Sequence, residues 1–149
     1  MTEEGPRAVT LAITSRRLSM GDVDQVIAFY GRYFSWMDDG FSELLRVLGH
    51  PVSGILQDGY GLPVVETGCR YLRAVGLDES LRIETAVVAT RRTSLDIGHV
   101  MWADDDQVAV AQTTHVWVRR TPELSPEPVP QWIRAAVTIP EGYQPPPSR

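Results

Sequence analysis

The chain has 149 residues, the size of one domain with one hydrophobic core. Hydrophobic residues make up 43% of the sequence and charged residues 22%, the balance of an ordinary soluble globular protein. The formal net charge of -5 argues against a general nucleic-acid-binding role, which usually shows a basic surface. All 14 basic residues are arginine, so chemistry that needs a Schiff-base lysine is excluded.

The sequence lacks the features of membrane and secreted proteins. No apolar run reaches the roughly 20 residues that a membrane-spanning helix needs. The first residues, MTEEGPR, are acidic and polar, unlike a signal peptide. Cys69 is the only cysteine, so no intrachain disulfide can form. We therefore expect a cytoplasmic protein that is not attached to a membrane.

Two elements are predicted in the first third of the chain. Alternating apolar residues predict a strand over residues 8–14. Apolar residues then recur at helical spacing from Val26 to Leu48, which predicts one long amphipathic helix that ends at Gly49. Gly40 is unfavourable inside a helix, so its presence indicates close packing of the helix against a sheet.

Strands with short connections follow the predicted helix. Period-two patterns predict four of them, at residues 63–75, 80–90, 94–103 and 107–119. Connections such as the acidic turn Asp104–Asp106 favour antiparallel neighbours. The fold class is therefore α+β, a curved antiparallel sheet wrapped around one long helix, which is the hotdog arrangement. We expect a single domain with its core at about residues 8–119 and a Pro-rich C-terminal extension over 121–149, which includes a short helix at 131–137.

Several short motifs occur in a characteristic order. They are Gly21–Asp24 (GDVD), the aromatic segment Phe29–Asp38, Gly61–Val65 (GLPVV), Asp78–Thr85 (DESLRIET) and Arg91–Ser94 (RRTS). Their order and spacing resemble those of the 4-hydroxybenzoyl-CoA thioesterase family. The resemblance covers roughly the predicted core, and it implies a hotdog fold and hydrolysis of an acyl-CoA thioester.

The resemblance implies that Asp24 is the catalytic carboxylate, with Asp22 as the alternative. A carboxylate at the start of a helix can act as a nucleophile or a general base. Unpaired backbone N–H groups of the first helical turn, such as that of Tyr30, can polarise the thioester carbonyl. The pattern alone equally fits two helix-capping aspartates. Gln25 stands where the family has proline, and the segment between Asp24 and the helix tyrosines is one residue shorter.

Four residues are candidates for substrate binding. The resemblance implies that Asp38 contacts a hydroxyl on the substrate's ring, although an aspartate on a solvated helix face would look the same. It also implies that Arg91 and Arg92 contact phosphates of coenzyme A, for which forked guanidinium donors are suited. Tyr33 and its aromatic neighbours favour an aryl or short acyl group.

The three histidines, His50, His99 and His115, show no metal-ligand spacing, so we expect no metal and no cofactor. We interpret His99 and His115 as structural side chains on adjacent strands. A hotdog hydratase would need a histidine near the start of the helix, where this chain has none.

Two questions about partners stay open at this point. An acyl-carrier-protein thioester is a possible substrate beside acyl-CoA, and a non-catalytic module that binds acyl thioesters is an alternative function. A lone hotdog sheet leaves strand edges unpaired, so we expect at least a homodimer, with a homotetramer also possible.

Overall fold

The computed structural model describes residues 10–146. Ten strands, three α-helices and one 3-10 helix follow one another in these residues. They are β1 (Ala12–Arg17), the 3-10 helix Met20–Asp22, β2 (Val23–Asp24), β3 (Ile27–Ala28), α1 (Arg32–Val47), α2 (Val52–Gln57), β4 (Tyr60–Gly61), β5 (Val64–Tyr71), β6 (Ser80–Thr90), β7 (Ser94–Ala103), β8 (Asp106–Val116), β9 (Val118–Arg119), β10 (Ser125–Pro126) and α3 (Gln131–Arg134).

The main sheet wraps around α1. Its strands lie in the order β1-β6-β7-β8-β5, and every neighbouring pair is antiparallel. The predicted close packing at Gly40 is confirmed, because a Cβ atom there would collide with the Thr85 hydroxyl. This close approach lets the apolar stripe of α1, which includes Met37 and Leu44, bury itself against the inner face of the sheet. The predicted α+β class and hotdog arrangement are therefore confirmed.

The predicted start of the long helix is wrong. The helix begins at Arg32 instead of Val26, and the residues before it form the small β2–β3 hairpin. The hairpin turns at Gln25, whose φ of 63° lies in the left-handed region. Val26 is 74% exposed and Tyr30 is 65% exposed, so these residues do not extend the buried stripe. The sequence favoured a helix here because the apolar residues keep helical spacing through the segment, and that spacing gives no sign of the turn.

The first two predicted strands are displaced. The first runs over Ala12–Arg17, with Ala12 buried and Ile13 exposed, and residues 8 and 9 lie outside the described range. The strand predicted at 63–75 spans Val64–Tyr71, and a bulge near Val65 turns that side chain outward.

The later elements match their predictions more closely. The third and fourth predicted strands have the predicted bounds. The fifth becomes β8 and β9, and the helix predicted at 131–137 is shorter, Gln131–Arg134. Within the Pro-rich segment, Ser125–Pro126 pairs with β9.

The chain after α3 crosses the outer face of the main sheet. The Thr138 backbone N–H donates to the Val87 carbonyl on β6 at 2.8 Å. Further along, the Tyr143 hydroxyl hydrogen-bonds the Gln112 side chain on β8, and its ring fills the space above Gly98. This segment covers the outer face, whereas the inner face near β5 keeps open cavities.

Candidate functional site

Asp22 is a buried structural carboxylate. It is 1% exposed, and the Arg16 guanidinium donates to both of its oxygens at 2.8 and 2.9 Å. The Ser19 backbone N–H donates to it at 2.9 Å and closes the 3-10 helix. Burial alone would raise the pKa of Asp22, but the hydrogen bonds from Arg16 and Ser19 outweigh burial and hold that pKa below its usual value. Since its oxygens are already engaged, Asp22 fits the capping interpretation.

Asp24 lies two residues further on and is exposed. It lines an open hollow of about 370 Å³ whose wall is the segment from Asp24 to Tyr30. Gln25, beside it, has a φ of 63°, which the proline of the family could not adopt. The turn presents the Asp24 carboxylate to solvent at the mouth of the hollow.

The backbone N–H of Tyr30 lies on the same wall. Within residues 10–146, this N–H and that of Gly31, the next residue, donate to no acceptor. Both directly precede α1, where the macrodipole adds partial positive charge. The hollow therefore combines an exposed carboxylate with the N–H of Tyr30, which can stabilise a developing oxyanion.

A second hollow adjoins the first. It has a volume of about 290 Å³ and shares Ile27, Ala28 and Tyr30 with the first hollow. The rings of Tyr33 and Tyr71 meet edge to face on its wall, with centroids 4.8 Å apart. Burial raises the pKa of Tyr33 to about 12, so this hydroxyl stays neutral and can donate a hydrogen bond. The two hollows form one continuous groove that passes the end of β5.

Asp38 lies in a separate cavity of about 170 Å³ between α1 and the inner face of the sheet. Its other lining residues are mostly apolar, with three polar side chains from β5 and β8: Phe34, Met37, Phe41, Val64, Thr67, Thr113 and His115. Within one chain this cavity shares no lining residue with the hollow at Asp24. The predicted catalytic and ring-binding aspartates thus lie in different places of a single copy.

Arg91 and Arg92 have different surroundings. The Arg91 guanidinium forms two hydrogen bonds with Asp96, at 2.6 and 3.0 Å, and one with the Ser94 hydroxyl at 2.9 Å. Burial opposes ionisation of Asp96, but hydrogen bonds from Arg91 and Thr114 hold its pKa below the usual value. Arg92 is exposed, and its side chain makes no hydrogen bond within residues 10–146. Arg92 is the arginine that is free to meet a phosphate.

Comparison with known proteins identifies the family. The family model described as the thioesterase superfamily matches residues 26–110, more than half of the 149-residue chain. The chain belongs to the thioesterase superfamily. This membership confirms the resemblance found in the sequence motifs, and the protein is a thioester hydrolase, the predicted enzyme class.

Solved structures of thioesterases have the same fold. A gentisyl-coenzyme A thioesterase is 26% identical, with 82% of this chain and 98% of that chain covered and a TM-score of 0.74. The 4-hydroxybenzoyl CoA thioesterase from Pseudomonas sp. strain CBS-3 is 22% identical, with 86% and 99% covered and a TM-score of 0.76. A 1,4-dihydroxy-2-naphthoyl-CoA thioesterase from Synechocystis is 17% identical, with 85% and 95% covered and a TM-score of 0.76.

Two further observations bear on the expectations from the sequence. None of the helices within residues 10–146 is long and apolar enough to cross a membrane. No group of three or more candidate metal ligands occurs in the same residues. The sequence interpretation took His115 as structural and did not consider Thr113, and both line the cavity of Asp38. A signal was present, because residues two apart on a strand point to the same face.

Proposed function

We propose that the protein hydrolyses acyl-CoA thioesters with an aryl or short acyl group to the free acid and coenzyme A. Asp24 acts as the nucleophile or as the general base that takes a proton from the attacking water. The thioester carbonyl oxygen accepts hydrogen bonds from the backbone N–H of Tyr30 as negative charge develops on it. The C–S bond then breaks and the coenzyme A thiolate leaves. If Asp24 is the nucleophile, water next hydrolyses the anhydride between Asp24 and the acyl group to the free acid. If Asp24 is the base, the oxygen of water adds directly to the carbonyl carbon, and the proton held by Asp24 passes to the thiolate or to solvent. The observation that carries this proposal is the exposed Asp24 carboxylate in one hollow with the unpaired Tyr30 N–H.

The size of the cavity at Asp38 supports a single aromatic ring as the acyl group. Its volume is about 170 Å³, and an engineered cavity of roughly 150 Å³ in another protein binds benzene. Phe34, Met37 and Phe41 supply the apolar contacts that a ring needs. The names of the three thioesterases compared above describe aryl-CoA substrates, which agrees with this choice.

The site needs two copies of the chain. β5 is an edge strand of the main sheet, and its exposed side chains include Val64 and Tyr71 at its two ends. The cavity of Asp38 lies at the Val64 end, and the groove that leads to Asp24 lies at the Tyr71 end. Antiparallel pairing of two β5 strands about their midpoints brings Val64 of one copy next to Tyr71 of the other. Asp24 of one copy then acts on an acyl group seated beside Asp38 of the other, so we propose at least a homodimer.

Arg92 is the proposed contact for a phosphate of coenzyme A. It is exposed and unpaired within the described residues, whereas Arg91 is held by Asp96. An acyl carrier protein offers a phosphate on its pantetheine arm as well, so the same arginine fits both carriers.

The test is thiol release from a panel of thioesters. The panel contains benzoyl-, hydroxybenzoyl-, acetyl- and palmitoyl-CoA, and benzoyl attached to an acyl carrier protein. We expect the highest kcat/KM for the ring-sized acyl-CoA substrates and the lowest for palmitoyl-CoA. Binding of these thioesters without thiol release would favour a non-catalytic binding module and contradict the proposal. Light scattering on the same sample checks the second copy, since a monomer would contradict the shared site.

A further inference from the structure

The polar end of the cavity beside Asp38 is built by two residues of β8. Thr113 and His115 are buried and face α1, and the His115 ring packs on Phe41 with centroids 4.2 Å apart. Both ring nitrogens of His115 have partners. Nδ1 lies 2.9 Å from the Leu62 carbonyl oxygen, and Nε2 lies 3.0 Å from the Thr113 hydroxyl oxygen.

These two contacts fix the directions of the hydrogen bonds. A carbonyl oxygen can only accept, so Nδ1 of His115 carries the hydrogen that it donates to Leu62. Burial lowers the pKa of His115. The Leu62 carbonyl and the carboxylates of Asp38 and Asp96 raise this pKa by less, so the ring is neutral at neutral pH. Nε2 therefore has a free lone pair, and the Thr113 hydroxyl donates its single hydrogen to it.

This arrangement gives the cavity a defined polarity. With its hydrogen committed to His115, the Thr113 oxygen presents only lone pairs to the cavity. The Asp38 carboxylate on the facing helix also accepts hydrogen bonds. Thr67, across from Thr113 on β5, can turn its hydroxyl either way and so sets no preference. Asp38 is exposed and water can satisfy it, whereas Thr113 is buried. A buried acceptor that meets no donor is costly, so an acyl group without a donor opposite Thr113 is disfavoured.

We propose that Thr113, held as an acceptor by His115, selects acyl groups bearing a hydrogen-bond donor, a hydroxyl or an amino group, at the end that enters the cavity. Thr113 is the specificity-determining residue. His115 is a positioning residue, because it acts by holding Thr113 as an acceptor. The proposal rests on the proposed function, since it takes this cavity as the acyl subsite.

The test compares substrates that differ at the para position, which carries a donor hydroxyl, a methoxy group that only accepts, or hydrogen. They are 4-hydroxybenzoyl-CoA, 4-methoxybenzoyl-CoA and benzoyl-CoA, measured by thiol release. We expect the Thr113→Val variant to lose the preference for the hydroxylated over the unsubstituted substrate by about tenfold, as for one lost hydrogen bond. Thr113→Ser keeps the hydroxyl and the preference. Thr114→Val is the matched control, because Thr114 faces the other side of β8 and bonds Asp96.

His115→Phe separates a positioning role from a structural one. An aromatic ring still packs on Phe41 in this variant, but the Thr113 hydroxyl loses its acceptor and is free to donate to another group. We expect the ratio of kcat/KM for the methoxy over the hydroxy substrate to rise further than in Thr113→Val. If His115→Phe does not fold, the Thr113→Val and Thr113→Ser pair still decides the proposal.

Two kinds of failure are distinguishable. Dissociation constants of the matching non-hydrolysable thioether analogues are measured with the same variants, so polarity is tested even without turnover. If the wild type releases no thiol but the analogues show the Thr113-dependent preference, the proposed hydrolysis is wrong and the subsite stands. If the wild type hydrolyses the substrates and Thr113→Val lowers all three equally, the inference about the subsite is overturned.

Discussion

Asp22 and Asp24 belong to the same four-residue motif but have opposite surroundings. Asp22 is buried, and its oxygens are occupied by Arg16 and Ser19. Asp24 is exposed and lies two residues after Asp22, in the hairpin that turns at Gln25. The hydrogen bonds of Asp22 fix the position of this segment, and the fixed segment holds Asp24 at the surface. Burial and a charged partner thus separate a structural carboxylate from the proposed catalytic one within two residues.

Arg91 and Arg92 show the same division of roles. Arg91 is bound to Asp96 in the sheet, whereas Arg92 has no side-chain partner in the described part of the chain. In both pairs, one charged residue is satisfied inside the protein and its neighbour remains free for a ligand. Substitutions in the two pairs should therefore separate stability from activity.

The largest effect is expected for Asp24→Asn. The amide cannot act as a nucleophile or accept a proton, so kcat for acyl-CoA hydrolysis should fall at least about 100-fold. Because Asp24 is exposed, thermal unfolding should change little, by about 0.5 kcal/mol or less. Thiol release and calorimetry on the same sample check both parts. A variant that hydrolyses as fast as the wild type would contradict the role of Asp24.

Asp22→Asn should show the reverse pattern. It removes a hydrogen-bonded carboxylate from Arg16, whose side chain is partly exposed and can be solvated, so we expect a loss of about 2 kcal/mol of stability. For a chain of this size that corresponds to a decrease in Tm of roughly 4–8 °C. Below its own Tm, the variant should hydrolyse thioesters within about twofold of the wild type. If Asp22→Asn instead lost kcat as expected for Asp24→Asn, with unchanged Tm, the structural and catalytic roles of the two aspartates would be exchanged.

The stability difference between wild type and Asp22→Asn should depend on pH. The pKa of Asp22 is lower in the folded protein than in the unfolded chain, so its contribution is fully present above the unfolded value of about 3.9. It is lost as the pH falls through the folded pKa. Denaturant titrations at neutral pH and at decreasing pH below about 4 should therefore show the two proteins converging. A constant difference over this range would mean that the ion pair with Arg16 contributes nothing.

Arg92→Gln should raise KM for acyl-CoA by about tenfold, as expected for one lost phosphate contact, with kcat nearly unchanged. The matched substitution Arg91→Gln should act mainly on stability, because it leaves Asp96 without its guanidinium partner. Measuring KM with acyl-CoA and with the acyl-pantetheine fragment separates a lost phosphate contact from an effect on stability. An equal increase in KM for both substrates in Arg92→Gln would exclude a contact to the nucleotide.

The smallest effect is expected at the turn itself. Gln25 has a positive φ that glycine adopts without strain, so Gln25→Gly should raise stability by about 0.5 kcal/mol. Gln25→Ala keeps the Cβ atom and should bring no such gain. A gain of equal size in both variants would indicate that the backbone conformation is not its cause.

The sequence predicts the central strands best. β6 and β7 have the predicted bounds because alternation over residues 80–85 marks the start of β6 and a short acidic turn ends β7. The start of α1 could not be predicted in the same way. Residues from Val26 to Tyr30 have helical apolar spacing, but all of them except Ala28 are exposed, and their turn depends on pairing with neighbours such as Gly76. Tertiary contacts therefore override local periodicity in this segment.

The candidate site was only partly predictable. The motif resemblance singled out Asp22, Asp24 and Asp38, but choosing between the first two needs the position of Arg16, which lies on another strand. Likewise, the acceptor state of Thr113 depends on the Leu62 carbonyl, about fifty residues away from His115. Hydrogen-bond partners that are distant in sequence leave no local pattern, so these roles appear only in the folded chain.

A crystal structure of the Asp24→Asn variant with bound 4-hydroxybenzoyl-CoA tests the shared site. We expect a dimer joined through β5. The thioester carbon should lie within about 3.5 Å of the residue-24 side chain of one copy, the distance of a near-attack arrangement. The ring should enter the cavity of Asp38 and Thr113 in the other copy, and the carbonyl oxygen should face the Tyr30 N–H. A thioester carbon bound far from residue 24 would contradict the catalytic role of Asp24.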